Sequence, residues 1–312
     1  MSQQPPSAVT LADSAATLVE VAEHVYAYVQ PDGSWCLNNA GLITAGERPA
    51  LVDTAATRAR TLALRDAAAR VSARPPGYVV NTHPHGDHTF GNQVFAEHAV
   101  IVAHEGTRAE MDLAGLHLTG LWPDVDWGDI EVTLPSLTFR DTVTLHLGEF
   151  RAEVMHLGTA HTTNDSVVWL PGQRVLFTGD IVMSGATPFC MTGSVAGSLT
   201  VLSALRELDP AVVVPGHGPV GDAGLLDSTE RYLRFVQRLA AESLAAGLTP
   251  LEAARTADLG EFAELLDSER IVPNLHRAYA EAAGAAPGHL LDVGELFGEM
   301  TAFHGGLPHC AA

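Results

Sequence analysis

The sequence predicts an α/β protein of four layers, an αββα sandwich of two packed sheets covered by helices, followed by a helical C-terminal extension. Short, β-branched apolar runs gather early and late in the chain, with alanine-rich helical segments between them. Several of those runs stop on a histidine or an aspartate set among small residues, which gives the strand ends one shared task.

Taken in order, residues 1–17 predict a flexible tail. Val21–Gln30 alternates as a strand does, and Pro31-Asp32-Gly33 supplies turn chemistry. Ala40–Thr44 and Ala50–Val52 read as a strand pair about the turn Gly46–Pro49. Ala55–Val71 reads as a helix capped by Thr54. Val79–Thr82 is a strand, a short helix or turn follows at Phe90–Phe95, Val100–Ala103 is a strand, and Thr107–Leu113 is helical. Leu137–Leu147 and Phe150–Met155 form a hairpin about Gly148, and Val167–Leu170 pairs with Val175–Phe177 across Pro171-Gly172. Leu199–Leu208 is a helix leading into the strand Val212–Val214. These elements make one domain over 18–224. Residues 225–312 form the extension, with helical periodicity in Thr229–Ala246, Pro250–Ala257, Glu261–Leu266 and Pro273–Ala283.

The chemistry concentrates in His83-Pro84-His85-Gly86-Asp87-His88, an H-x-H-x-D-H run after the strand Tyr78-Val79-Val80. Three imidazoles and a carboxylate within six residues make a metal site the expected reading, because neutral imidazole is the commonest metal ligand. His83 and His85, two apart, point the same way, and Gly86 lets the chain turn so that Asp87 and His88 face a second position. One segment cannot complete two coordination shells, so distant ligands are needed. His161, Asp180 and His217 stand ready, each flanked by small residues near the end of a strand-like run.

The order Asp53, H-x-H-x-D-H, His161, Asp180, His217 resembles the five motifs of the metallo-β-lactamase-fold superfamily, over about residues 20–225. The resemblance implies a first metal on His83, His85 and His161, and a second on Asp87, His88 and His217. It makes Asp180 the bridge between them, and Asp53 the group that orients the ligand loop from behind. It implies two divalent ions, zinc first, although histidine and carboxylate donors accept iron and manganese as well. Asp87 and Asp180 would be the catalytic carboxylates of a hydrolase that activates water against an acyl carbonyl. The bridging aspartate is similar to that of glyoxalase II-type thioesterases, whereas β-lactamases of this fold typically carry cysteine or serine there. His85 argues against flavodiiron proteins, which usually have glutamate at that position. The alternatives are a mononuclear-iron persulfide dioxygenase and a lactone or ester hydrolase of the same fold.

A narrower resemblance lies in Val25–Gly41, which is similar to the lead-in of actinomycete cyclase/thioesterases of aromatic polyketide pathways. It implies a polyketide acyl group, free or on a carrier protein, with assisted cyclisation. Docking an acidic carrier to this chain would need an arginine patch, for which Arg231, Arg234, Arg238 and Arg277 are candidates.

Composition narrows the partners. A formal charge of −20 disfavours nucleic acid and anionic membranes. All 17 basic residues are arginine. The first residues lack a basic or apolar segment, and Cys36, Cys190 and Cys310 read as free thiols, so a cytoplasmic location is expected. The oligomeric state is open, a dimer included.

Candidate substrate contacts are Trp122 and Trp127 in the turn-rich stretch Gly120–Gly128, which either meet a ligand or fix the loop to the body. Met183 and Phe189 follow Asp180 and either line an apolar pocket or join the core. Asn274, His276 and Arg277 offer polar contacts from the extension, against the plainer reading of a solvated helix face. His289, His304 and His309 sit in a Gly-rich end and read as loop residues.

Overall fold

The computed structural model describes residues 16–312. The first sheet has seven strands in sequential order: β1 (Thr17–Ala22), β2 (Val25–Val29), β3 (Ala40–Ile43), β4 (Ala50–Val52), β5 (Tyr78–Val80), β6 (Val100–His104) and β7 (Leu137–Phe139). Its first four strands pair antiparallel, and β4 to β7 run parallel. The crossovers are made by α1 (Arg58–Val71), the short α2 (Gly86–Thr89) and α3 (Asn92–Phe95), and α4 (Glu105–Ala114). The second sheet has five strands: β8 (Thr142–Leu147), β9 (Phe150–Met155), β10 (Val167–Leu170), β11 (Val175–Phe177) and β12 (Val212–Val214). Only β11 and β12 are parallel, joined through α5 (Val195–Glu207). The C-terminal part contributes α6 (Gly224–Ala245), α7 (Pro250–Thr256), α8 (Ile271–Ala282) and α9 (Val293–His304).

The period of two along each strand separates the layers. Val52, Val80, Val168, Leu170 and Val214 meet between the sheets. Their neighbours Leu51 and Val79 turn outward onto Leu64 and Ala68 of α1, while Trp169 and Val213 turn outward onto α5, α6 and α8. Central strands are therefore apolar on both faces, as parallel strands covered by helices must be. The four layers expected from sequence are present. The core of the second sheet continues without a break through Leu226, Tyr232 and Val236 of α6 into Leu275 of α8. The extension thus packs directly on the domain.

Several boundaries differ from expectation. The predicted tail lies outside the described residues as far as residue 15, and Thr17 already belongs to β1. The first helix begins at Arg58, capped by Thr57, whose side chain accepts from Arg60 N. Thr54 instead donates its hydroxyl to the His88 carbonyl at 2.9 Å. Leu137–Leu147 is two strands in different sheets, because the chain passes from one sheet to the other at Arg140-Asp141. Glu261–Leu266 holds only a 3-10 turn at Gly260–Phe262. Val293–His304, in the end read as loop, is a helix whose cap Asp292 accepts from Glu295 N. No helix among the described residues is long and apolar enough to cross a membrane.

Candidate metal centre

The candidate ligands lie beyond the C-terminal ends of strands from both sheets. After β5 the chain continues Asn81-Thr82-His83, and Asp53 follows β4 beside it. Asp53 takes a left-handed backbone, φ 61°, that turns its carboxylate back over the ligand loop. One oxygen accepts from Thr82 N at 2.8 Å. The other accepts from Thr82 Oγ1 at 2.7 Å and from His88 Nδ1 at 2.9 Å. That bond fixes the ring so that His88 Nε2 faces the centre. His85 caps α2 from an extended conformation, and Asp87 and His88 lie in the helix itself. From the second sheet, His161 donates Nδ1–H to the Phe189 carbonyl at 2.5 Å, and His217 donates Nδ1–H to the Gly33 carbonyl at 3.1 Å. Both rings thereby turn Nε2 inward.

Two groups of donors result. His83, His85, His161 and Asp180 form one, and Asp87, His88 and His217 the other, with the atoms of each group within 4.8 Å of one another. Asp180 spans them: Oδ2 lies 3.6 Å from His161 Nε2 and 3.4 Å from His217 Nε2, and Oδ1 lies 3.1 Å from His88 Nε2. Asp87 Oδ2 lies 3.3 Å from His217 Nε2. Gly216 is required beside the bridge, since a Cβ there would stand 1.9 Å from Asp180 Oδ1.

The donor set fits divalent cations. His83 Nε2, His88 Nε2 and Asp180 Oδ1 are buried and without hydrogen-bond partners, although buried polar atoms are almost always paired. Burial lowers His83, His85 and His161, the last to about 3, so their lone pairs are free at neutral pH. Burial also acts on His217 and His88, but the Asp180 and Asp87 carboxylates outweigh it, raising His217 to about 9 and His88 well above its usual range. Against its own burial, Asp87 is lowered to about 2 by His88 and His217. Asp180 is likewise held well below the usual range, chiefly by His217 and His88. Histidine with carboxylate, rich in nitrogen and oxygen donors and free of thiolate, suits zinc, iron or manganese.

A cavity of about 340 Å³ opens onto Asp87, His161, Asp180 and His217. Trp122, Met183 and Phe189 line it, as does Cys36, read above only as a free thiol, and with them stand Trp35, Leu118, Leu121, Met191, Arg270 and Phe297, which nothing in the sequence marked as site residues. Their contributing loops and helices are far apart in the chain, and a single sequence carries no sign of that convergence.

Four expected substrate contacts are corrected. Trp127 is buried beside Phe90 and donates to the Trp122 carbonyl at 3.1 Å, so it fixes its loop. Asn274 is fully buried; it accepts from Cys190 N at 2.8 Å and donates to the Pro188 carbonyl at 2.7 Å. Arg277, also buried, donates to the carbonyls of His289 and Met191. His276 pairs with Glu299 at 2.7 Å. Asn274 and Arg277 thus hold loops in place, and His276 ties α8 to α9. Of the four candidate patch arginines, Arg277 is interior, Arg231 and Arg234 pair at the surface with Glu261 and Glu230, and Arg238 is exposed.

A family model described as the metallo-beta-lactamase superfamily matches residues 33–217, more than half of the chain. The chain is similar to a metallo-beta-lactamase type 2 of Bacillus cereus, 28% identical over 163 residues, covering 50% of this chain and 57% of the relative. It is also similar to a beta-lactamase-like protein 2 homolog of Caenorhabditis elegans, 25% identical over 203 residues, covering 62% and 60%. The chain thus spans less than two thirds of the length of these curated relatives. Among solved structures, a metallo-beta-lactamase from Pontibacter korlensis shares the fold, with a TM-score of 0.58 at 23% identity, covering 70% of this chain and 99% of that one.

Proposed function

The chain belongs to the metallo-β-lactamase superfamily, and on that premise we propose that it is a dinuclear metal-dependent hydrolase of an acyl bond, a thioester before an ester or lactone. The observation that carries the reading is the pair of donor groups joined by Asp180, with buried imidazole nitrogens left without partners on both sides. His83, His85 and His161 would hold one ion, Asp87, His88 and His217 the other, and Asp180 both, zinc being the ion favoured. Divalent ions so placed make water nucleophilic at neutral pH and polarise the carbonyl it attacks.

The protein's own part is orientation and proton handling. Asp87 faces the cavity as a carboxylate, the form that can accept a proton. Cys36 also faces the cavity, but its hydrogen bond to Cys310 and its burial hold the thiol well above the ordinary range, which unfits it as a nucleophile. Asp87 and Asp180 are the carboxylates of the cavity wall. A thiolate, which departs without strong protonation, suits a wall so poor in acids. A polyketide-type acyl group is the narrower candidate.

Elemental analysis of protein purified without chelator tests the metals, and hydrolysis panels of thioesters, esters and β-lactams test the reaction. Two zinc per chain with thioester turnover, lost to chelator and restored by zinc, is the expected result. One iron per chain with oxygen uptake on a persulfide would replace the hydrolase by a dioxygenase. Turnover of β-lactams alone would keep the hydrolase and remove the thioester.

A further inference from the structure

We infer that the cavity beside the metal centre selects an acyl group whose body is uncharged and aromatic, with Trp35, Trp122 and Phe297 as specificity-determining side chains. The inference rests on the hydrolase reading above and names the substrate class of that same site.

The rings form a connected wall. The centroids of Trp35 and Trp122 are 5.5 Å apart, Phe189 meets Trp35 edge-on at 5.5 Å, and Phe297 meets Trp122 edge-on at 6.1 Å. Such tilted and edge-to-face spacings are those of favourable aromatic pairs, and a further ring can join them. Both indole N–H groups are already used: Trp35 donates to Glu269 Oε1 at 2.6 Å, and Trp122 to the Pro308 carbonyl at 2.7 Å. The tryptophans therefore offer carbon surface and no free donor.

Charge is answered in the same way. Arg270 is the cation of this wall; protein groups engage both of its terminal nitrogens, and its Nε, which has no partner, is buried. Its guanidinium lies 4.0 Å from the centre of the Trp35 ring, pairs with Asp267 at 2.8 Å and donates to the Thr187 carbonyl at 3.1 Å. A charged acyl body would lose its hydration here and meet a guanidinium whose terminal nitrogens are already paired. A cavity of about 340 Å³ has the size of a small-molecule pocket and leaves room for fused rings.

The test uses the zinc-loaded protein and thioesters of one thiol, N-acetylcysteamine, bearing acetyl, octanoyl, 2-naphthylacetyl or succinyl groups. Burial of two rings should raise kcat/KM for naphthylacetyl about 30-fold or more over acetyl, with succinyl below acetyl. Phe297→Ala should cut the naphthylacetyl-to-acetyl ratio about tenfold, mainly through KM. Calorimetry with 2-naphthamide, which has no thioester, reads the pocket independently of turnover and should show binding weakened by Phe297→Ala. Thioester cleavage without ring preference, or with succinyl preferred, overturns the inference and leaves the hydrolase standing. Binding of naphthamide that depends on Phe297, with no thioester cleaved, removes the hydrolase reading and supports the pocket.

Discussion

At the metal end of the cavity each inward-facing imidazole of the second sheet leans on a backbone carbonyl, and His88 leans on Asp53. At the opposite end the polar atoms of Trp35 and Trp122 are turned away, and carbon faces the space. One end is specified by direction, since a ring rotated off its partner no longer aims its lone pair. The other is specified by shape and volume. Direction fails abruptly and shape fails by degrees, so the two ends should answer mutation differently.

The sharpest break is expected from Asp180→Ala, which removes the carboxylate that lies between histidines of both groups. Activity should fall by more than the roughly hundredfold expected for a supporting group. Metal content per chain should fall with it, and elemental analysis beside kcat would show whether the two move together. Next comes Asp53→Asn, which keeps the size of the side chain but weakens its hold on His88 and Thr82. About 10- to 100-fold in metal affinity should be lost, read by competition with a chromogenic chelator. An unchanged affinity would mean that His88 is oriented by packing alone.

Asp165 sharpens the comparison, being a carboxyl near the metal end that stands on burial. It accepts from Thr162 N and Oγ1, yet burial raises it from 3.8 to about 7. Between those values the native state holds a proton that the unfolded chain releases, so stability should decline as pH rises from about 4 to about 7. Urea denaturation across that range should show the slope, and Asp165→Asn should flatten it. The smallest effect belongs to Trp127→Phe, which removes one hydrogen bond to the Trp122 carbonyl well behind the wall. A loss of about 0.5–1.5 kcal/mol in stability is expected, with substrate preference unmoved. A changed preference would show that the loop positions Trp122 for its ligand.

The metal end was legible because its residues declare themselves. His83 to His88 crowd into one turn, and His161, Asp180 and His217 stand where apolar runs stop. The roof was not. Gly294 and Gly298 interrupt α9 and hide it from propensity, and the helix forms because Leu296 and Met300 are buried one turn apart and Asp292 caps it. Trp122 and Trp127 look equivalent in sequence, but one reaches the cavity and the other holds its loop. Asn274 and Arg277 resemble ligand contacts for a similar reason. A buried polar side chain that satisfies loop carbonyls is written with the same residue types as one that meets a substrate.

The ligands divide between the two sheets, four following β5 and three following β9, β11 and β12. A loaded centre is therefore a rivet through the seam of the sandwich, joining stretches of chain that are neighbours only in space. Metal supply would then govern the survival of the protein as well as its catalysis. A cell short of the ion would hold chains whose halves work loose at that seam, open to proteases before any question of substrate arises.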